Sequence, residues 1–543
     1  MLEANAILFD VRSIQKYIFG GNKLRTNIGA SRIADIIFDE VLIKGVLESG
    51  CNWLGSVDTT SWKKIAEQME DSPNCIEEAN DKLKQIMQEN DCTIATVGGG
   101  KALLLCRLGT KENDNNKLKN IVRLFNKFVL EKYPGIHTGA AIGKFDMDNY
   151  MVSFDELFKV LKQNQSTIYP LVNPSYSGLT HFCETSGEMA DYYDSGHIID
   201  TNKKNTPRWY SHEILAKAQA AKESNPYLQE LFSEKCHDRV FPLDFNRLGQ
   251  NEGENYYAIV HIDGNKMGVR FRNCKSLAEY NKLVISVQKQ TERAFGELLE
   301  YINTNYERFQ KEGGLNLDGT LLPIRPLILG GDDVTFVCAA KIAVELAEKY
   351  MQIMLTPKDK KKYAPLYTCA GISILPTSYP FFRGYQMTEQ LCGAAKSKSR
   401  EQDSCWLDFG ILHGEQAPTL AQIRQQEYGA SQGNMHFGPY RVDNTEQAES
   451  ICNLFKFVEI LQKKDKDNRQ VFPTNKLKEM RSVIAKDKHA ISSFLEQLSH
   501  DEIAFPDVPA WGDYKEKLWH EERTPYIDAI EMVDFIVPKR GKV

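Results

Sequence analysis

Two stretches of this 543-residue chain occur twice in the same order, and that duplication constrains the fold more than any other feature. VGGGKALLLC (97–106) lies over LGGDDVTFVC (329–338), and HTGAAIG (137–143) lies over YTCAGIS (367–373). Each pair sits in the same succession of patterns. In the first copy a strand at 5–11 leads to helical patterns at 12–20 and 30–46. Two short apolar runs split by glycines at 92–106 read as a hairpin. Residues 116–132 carry Ile121, Leu124, Phe125, Phe128 and Val129 on one helical side. Pro134 and Gly135 end that helix, and a strand follows at 136–143. The second copy runs strand 256–263, helix 276–302, hairpin 323–337, helix 341–354 and strand 366–375. The order β-α-β-β-α-β, met twice, predicts an α/β (α+β) fold with two ferredoxin-like domains, each on an antiparallel sheet.

The remaining segments complete the expected division: a first α/β domain at 1–160, a connector domain at 161–250, a second α/β domain at 251–412 and a helical C-terminal domain at 413–543. The connector is rich in aromatics, Asn and Gly, with a helical pattern at 211–232 and a motif, TNKKNTPRW (201–209), expected in an exposed loop. After the second copy come a helix at 380–400, a strand at 405–412, a polar stretch at 415–436, amphipathic runs at 446–463 and 475–498, and an aromatic-rich tail. The Lys/Asp run at 463–470 reads as a solvated turn.

Composition narrows the class. With 42% hydrophobic and 26% charged residues the chain is neither disordered nor a membrane bundle. Acidic residues number 73 against 67 basic, so the net charge of -6 disfavours nucleic-acid binding through global charge and leaves room for a local basic groove. The twelve cysteines lack framework spacing. Cys92, Cys106, Cys338, Cys369 and Cys392 lie inside apolar runs, which predicts buried free thiols and a cytoplasmic location. The opening MLEANAILFD reads as a strand with no signal peptide, and no apolar run is long enough to span a bilayer.

The two copies differ at the hairpin turn. The first has Gly98-Gly99-Gly100-Lys101; the second has Gly330-Gly331-Asp332-Asp333. Adjacent carboxylates at a hairpin end are costly unless a cation neutralises them, and two divalent ions can organise phosphoryl transfer. Asp263, at the end of the neighbouring strand YYAIVHID, is the natural third carboxylate. Gly330 and Gly331 permit a tight turn and close approach of a nucleotide. The segment 263–268, DGNKMG, turns into a helix, so backbone N–H groups at Gly264 and Asn265 can face phosphate. Lys396, late in the helix after strand 366–375, is placed to neutralise a triphosphate, with Lys398 and Arg400 as alternatives. Asp10 falls one residue off the position of Asp263.

These residues carry a resemblance. SIQKYIF (13–19), LRTNIGASRIADIIF (24–38), VHIDGNKMG (260–268), LGGDDVTFV (329–337), WLDFGIL (406–412), FGPYRVD (437–443) and FPTNKLKEMR (472–481) resemble segments of the Cas10 family, the Cmr2-like large subunit of type III CRISPR effector complexes. The resemblance implies two palm/nucleotidyl cyclase domains. It further implies conversion of ATP into cyclic oligoadenylate with release of pyrophosphate. Asp263, Asp332 and Asp333 would be catalytic metal ligands for two Mg²⁺ or Mn²⁺ ions. Gly264, Asn265, Gly330, Gly331 and Lys396 would hold the nucleotide. The first palm would bind a nucleotide, or pack, without catalysing. Implied partners are small CRISPR effector subunits and guide or target RNA, or a second copy of the chain if the protein is free-standing; no membrane is implied.

The sequence also departs from that family. The palm signature starts at residue 13, so no HD phosphohydrolase domain is expected, and His237-Asp238 reads as a surface pair. FCETSGEMADYY (182–193) resembles a zinc segment reduced to one cysteine. The spacing of His181, Cys183, Cys236 and His237 suits a structural zinc poorly, and none is expected. Alternative readings are a mainly structural effector subunit, a free-standing antiviral cyclase making another cyclic nucleotide, and a template-dependent polymerase.

Overall fold

The computed structural model describes residues 3–69, 73–107, 112–166, 180–195, 199, 208–251, 253–359, 363–412, 419–443, 446–467 and 469–538. Two compact units emerge: Met1–Leu231 with Lys266–Thr291 and Gly330–Asp332, and Phe232–Asn265 with Glu292–Leu329 and Asp333–Val543.

The first unit holds the first copy. Its strands are β1 (Glu3–Arg12), β2 (Cys92–Gly98), β3 (Lys101–Cys106) and β4 (His137–Asp146). They lie in the order β2-β3-β1-β4, all antiparallel, with the two-residue strand Val57–Asp58 added in parallel beside β2. This is the ferredoxin-like order, reached because a chain alternating strand and amphipathic helix buries one sheet face under its helices. Helix α1 (Glu112–Lys132) follows the hairpin and α2 (Tyr150–Ser166) follows β4. Phe9 of β1 packs on Phe125 of α1 at 4.8 Å, and Phe145 of β4 meets Phe154 of α2 at 5.5 Å. The hairpin turns on Gly99 and Gly100, both at positive φ, which a side chain would resist.

The second unit repeats the plan. Strands β5 (Tyr256–Gly264), β6 (Ile324–Gly330), β7 (Asp333–Ala339) and β8 (Thr368–Pro376) lie in the order β6-β7-β5-β8. Two further strands, β9 (Trp406–Ile411) and the short Tyr440–Arg441, extend that edge. Strand β9 pairs with β8 in parallel, so this sheet is mixed rather than wholly antiparallel. The cause is topological: helix α5 (Phe381–Glu401) crosses over between β8 and β9, and a helical crossover returns the chain in the same direction. Helix α3 (Leu277–Thr304) links β5 to β6, and α4 (Ala343–Leu355) links β7 to β8.

Two local expectations need correction, and one polar stretch gains an element. The helical run at 475–498 is two helices, Thr474–Ile484 and Lys488–His500, because Asp487 caps the second through the Ala490 N–H at 3.0 Å. The polar stretch after 415 contains a capped helix, Leu420–Gln426, opened by a Thr419/Gln422 capping box. Cys92 and Cys106 are not free thiols. They stand directly opposite across the hairpin, with Cα atoms 4.2 Å apart, and form a disulfide. The other described cysteines form no disulfide. Of the 201–209 motif, Arg208 and Trp209 belong to a short strand, Arg208–Tyr210, and the rest lies outside the described residues. Among the described residues no helix is long and apolar enough to cross a membrane.

Candidate active site

Strand register brings the key carboxylates together. Strand β5 pairs antiparallel with β7 up to Ile262 and Val334, and Asp263 and Asp333 are the residues next along each strand. Asp263 also pairs with Cys369 of β8, and Gly264 with Thr368. Both carboxylates are partly exposed, with side chains 27% and 29% accessible.

Each carboxylate meets a different neighbour. Lys396 of α5 donates to Asp263 Oδ2 in an ion pair. Burial opposes the charge of Lys396, but Asp263 overrides it and raises the pKa. The expected triphosphate ligand is thus a tethered cation on the first metal-ligand candidate. Asp333 Oδ1 is buried and has no hydrogen-bond partner of good geometry among the described residues, though His261 Nδ1 lies 3.3 Å away. That nitrogen also shares a hydrogen bond with Thr335 Oγ1 at 3.0 Å. Burial pulls the His261 pKa down; contact with Asp333 and the charges of Asp333, Asp263 and Glu389 more than reverse it. The imidazole stands edge-on to Tyr385, with ring centroids 5.7 Å apart. Tyr385 interacts electrostatically with Glu389, a carboxyl whose pKa burial raises.

The other expected residues are placed as follows. Asn265 donates its backbone N–H to Tyr367 O at 2.8 Å and its side-chain amide to Ser399 Oγ at 2.7 Å, so it braces the start of the loop. Lys266 adopts a left-handed conformation before the six-residue helix Met267–Arg272. Gly330, Gly331 and Asp332 form the turn and count with the first unit. There Gly331, at φ +61°, donates its N–H to Gln288 Oε1 at 2.7 Å and accepts from the Thr291 hydroxyl. Among the described residues no group of three or more His, Cys, Asp or Glu side chains is arranged to hold a metal ion.

The first copy shows what replaced this chemistry. Its register pairs Asp10 with Lys101 and with Gly139. Lys101 lies over Asp333 and Gly139 over Cys369, so Asp10 is the counterpart of Asp263 with no one-residue offset. Only pairing across both neighbouring strands reveals this. Lys101 Nζ is 3.2 Å from Asp10 Oδ1, and Gln165 of α2 donates to Asp10 Oδ2 at 2.6 Å. An internal lysine therefore neutralises the aspartate here. The same unit holds a cavity of about 430 Å³ whose lining includes Arg12, Lys16, Tyr17, His137, Glu213 and Lys217.

The sequence reading missed His261, Thr335, Tyr385 and Glu389. The available signal was a histidine inside the apolar run YYAIVHID, opposite a threonine in an otherwise apolar strand.

A mixed sheet of ferredoxin-like order with carboxylates at the ends of adjacent strands and a glycine turn is the arrangement of a palm-type domain. Residues 256–405 match the family model described as Cas10/Cmr2, second palm domain. No curated protein sequence matches the chain. Among solved structures, Csm1 in T.onnurineus is similar at 12% identity, with 98% of this chain and 69% of that chain covered and a TM-score of 0.52. A Csm1-Csm4 cassette in complex with pppApApA is 12% identical with the same coverage and a TM-score of 0.49. A chain of the Type III-B Cmr-beta bound to cognate target RNA is 10% identical, with 98% and 82% covered and a TM-score of 0.46. At these identities the likeness is one of fold.

Proposed function

We propose that the chain is a metal-dependent nucleotidyltransferase that converts ATP to cyclic oligoadenylate with release of pyrophosphate, in antiviral CRISPR-type defence. The observation that carries this reading is the meeting of Asp263 and Asp333 at the ends of paired strands inside a Cas10/Cmr2 second palm domain.

The donor set fits Mg²⁺ or Mn²⁺. The ligands are hard carboxylate oxygens, one of them buried with no well-aligned hydrogen bond among the described residues, and the other carboxylate already carries a cation in the form of Lys396. Asp263 and Asp333, with Asp332 beside them in the turn, would hold the ions. When bound, such ions polarise the α-phosphate and stabilise the attacking and leaving oxygens. Gly331 keeps side-chain bulk out of the turn where the nucleotide approaches. Lys396, released from Asp263 once that carboxylate is engaged, reaches the triphosphate and neutralises charge on the departing pyrophosphate. Asn265 holds the β5-to-helix loop in register through Tyr367 and Ser399. The first palm, whose Asp10 carboxylate is paired with Lys101, does not catalyse in this reading. Small effector subunits and guide or target RNA are the partners this reading assigns.

The test is to incubate the protein, with and without co-purifying subunits and RNA, with ATP and Mg²⁺ or Mn²⁺, and to identify products by mass. Cyclic oligoadenylate is expected, and is lost in the Asp332→Asn/Asp333→Asn double variant. Absence of any adenylate oligomer in every arm would refute the reading.

A further inference from the structure

The second palm buries a polar layer that the first palm lacks. Three contacts fix the correspondence between α2 and α5. Gln165 reaches Asp10 as Lys396 reaches Asp263. Leu161 approaches Gly139 as Cys392 bonds Cys369 O, and Leu157 approaches Gly143 as Thr388 bonds Ser373. On that frame His261 corresponds to Leu8, Thr335 to Leu103, Tyr385 to Phe154 and Glu389 to Phe158. Both members of the cross-strand pairs are confirmed by register, Leu8 with Leu103 and His261 with Thr335.

The first palm thus shows that this fold closes its core here with leucine and phenylalanine. Leu8, Leu103 and Phe154 are all buried. Burying hydroxyl and imidazole groups in their place costs stability unless each is hydrogen-bonded. The costly version occurs only beneath the palm that carries the turn carboxylates, and its nearest polar atom, His261 Nδ1, faces Asp333 Oδ1.

We infer that His261 is a positioning residue: bridged between Thr335 and Asp333 and backed by Tyr385 and Glu389, it holds the Asp333 carboxylate in the orientation that receives a divalent cation. Rotation of Asp333 about χ1 or χ2 is restrained by the imidazole edge, whose own tilt is set by Thr335 on one side and the Tyr385 ring on the other. Groups that orient a ligand in this way typically change metal affinity or activity about 10–100-fold when removed. The inference rests on the reading of Asp333 as a metal ligand.

The test is Mn²⁺ binding by the full chain, followed by electron paramagnetic resonance of the free ion, so turnover is not needed. Asp333→Asn is expected to abolish the tight site. His261→Leu is expected to weaken it about 10–100-fold while the melting temperature does not fall. His261→Asn, which retains a donor near Nδ1, is expected to restore most of the affinity. If the single leucine variant does not fold, the His261→Leu/Thr335→Leu double variant rebuilds the Leu8–Leu103 pair and carries the same expectation. Parental Mn²⁺ affinity in the leucine variant, or equal weakness of the asparagine variant, overturns the positioning role and leaves the proposed function standing. Mn²⁺ binding indifferent to Asp333→Asn overturns both.

Discussion

At the scale of single residues, Lys396 has two claims on its charge. In the free protein it neutralises Asp263, and the proposed reaction needs it on the triphosphate. The pair is about a third exposed, so water screens it and its worth is up to about 1 kcal/mol. Replacing Lys396 by Met removes a competitor for the carboxylate. Mn²⁺ should then bind about two- to fivefold more tightly, the range that such an ion pair allows, while the rate of oligoadenylate formation falls. Mn²⁺ titration beside product quantification checks both directions; a weaker Mn²⁺ site would show that Lys396 supports the metal instead of competing with it.

At the scale of the element, one hairpin is used twice with opposite charge. Both turns rest on glycine at positive φ, and both end beside an aspartate on the central strand. The residue leaving the turn differs: Lys101 pairs with Asp10 in the first, and Asp333 adds a second carboxylate in the second, which the proposed reading gives to a divalent cation. Lys101→Asp should therefore make the first palm resemble the second. Like charges opposite one another destabilise a sheet by up to about 1 kcal/mol. The variant should melt lower than the parent in chelator and recover with Mn²⁺, beyond any Mn²⁺ effect on the parent. No differential recovery would mean that Gln165 and the local packing exclude an ion there. The duplication itself was legible, because glycine turns and apolar strands leave a fixed imprint on sequence. The parallel placing of β9 was not, because one strand's pattern is the same whichever way its neighbour runs.

At the scale of the second unit as a whole, a buried polar bridge joins the sheet to the C-terminal helices. His436 bonds Asp408 of β9 at 2.8 Å and Asp528 of the helix Tyr526–Met532 at 2.9 Å. Arg424 holds Asp408, and Tyr440 with the N–H groups of Phe437 and Gly438 holds Asp528. Burial raises both carboxyls from 3.8 to about 6. The folded state then binds more protons than the unfolded chain between about pH 4 and 6. The contribution to stability is fully present below pH 4 and is lost as the pH rises through 6. A difference of roughly two pH units corresponds to at most about 3 kcal/mol for each group. Asp528→Asn removes one of these titrations. Urea unfolding of parent and variant at a series of pH values should show the parent losing stability relative to the variant across that window. A constant difference would contradict the raised value.

The sequence by itself determined the doubled β-α-β-β-α-β plan, the glycine turns and the aspartates at strand ends. These follow from local rules: period-2 and period-3.6 patterning, and the backbone freedom of glycine. It also pointed to Asp263, Asp333 and Lys396, whose separation along the chain is bridged by a topology the pattern implies. Tertiary structure alone decided that Lys396 rests on Asp263, that Asp10 is the true counterpart of Asp263, and that Cys92 meets Cys106. It alone brought His261 and Thr335 together beside Asp333, and joined Asp408, His436 and Asp528 in one buried cluster. Such groups are brought together from distant segments by register and helix docking, and a buried polar side chain has no periodicity of its own to announce its partner.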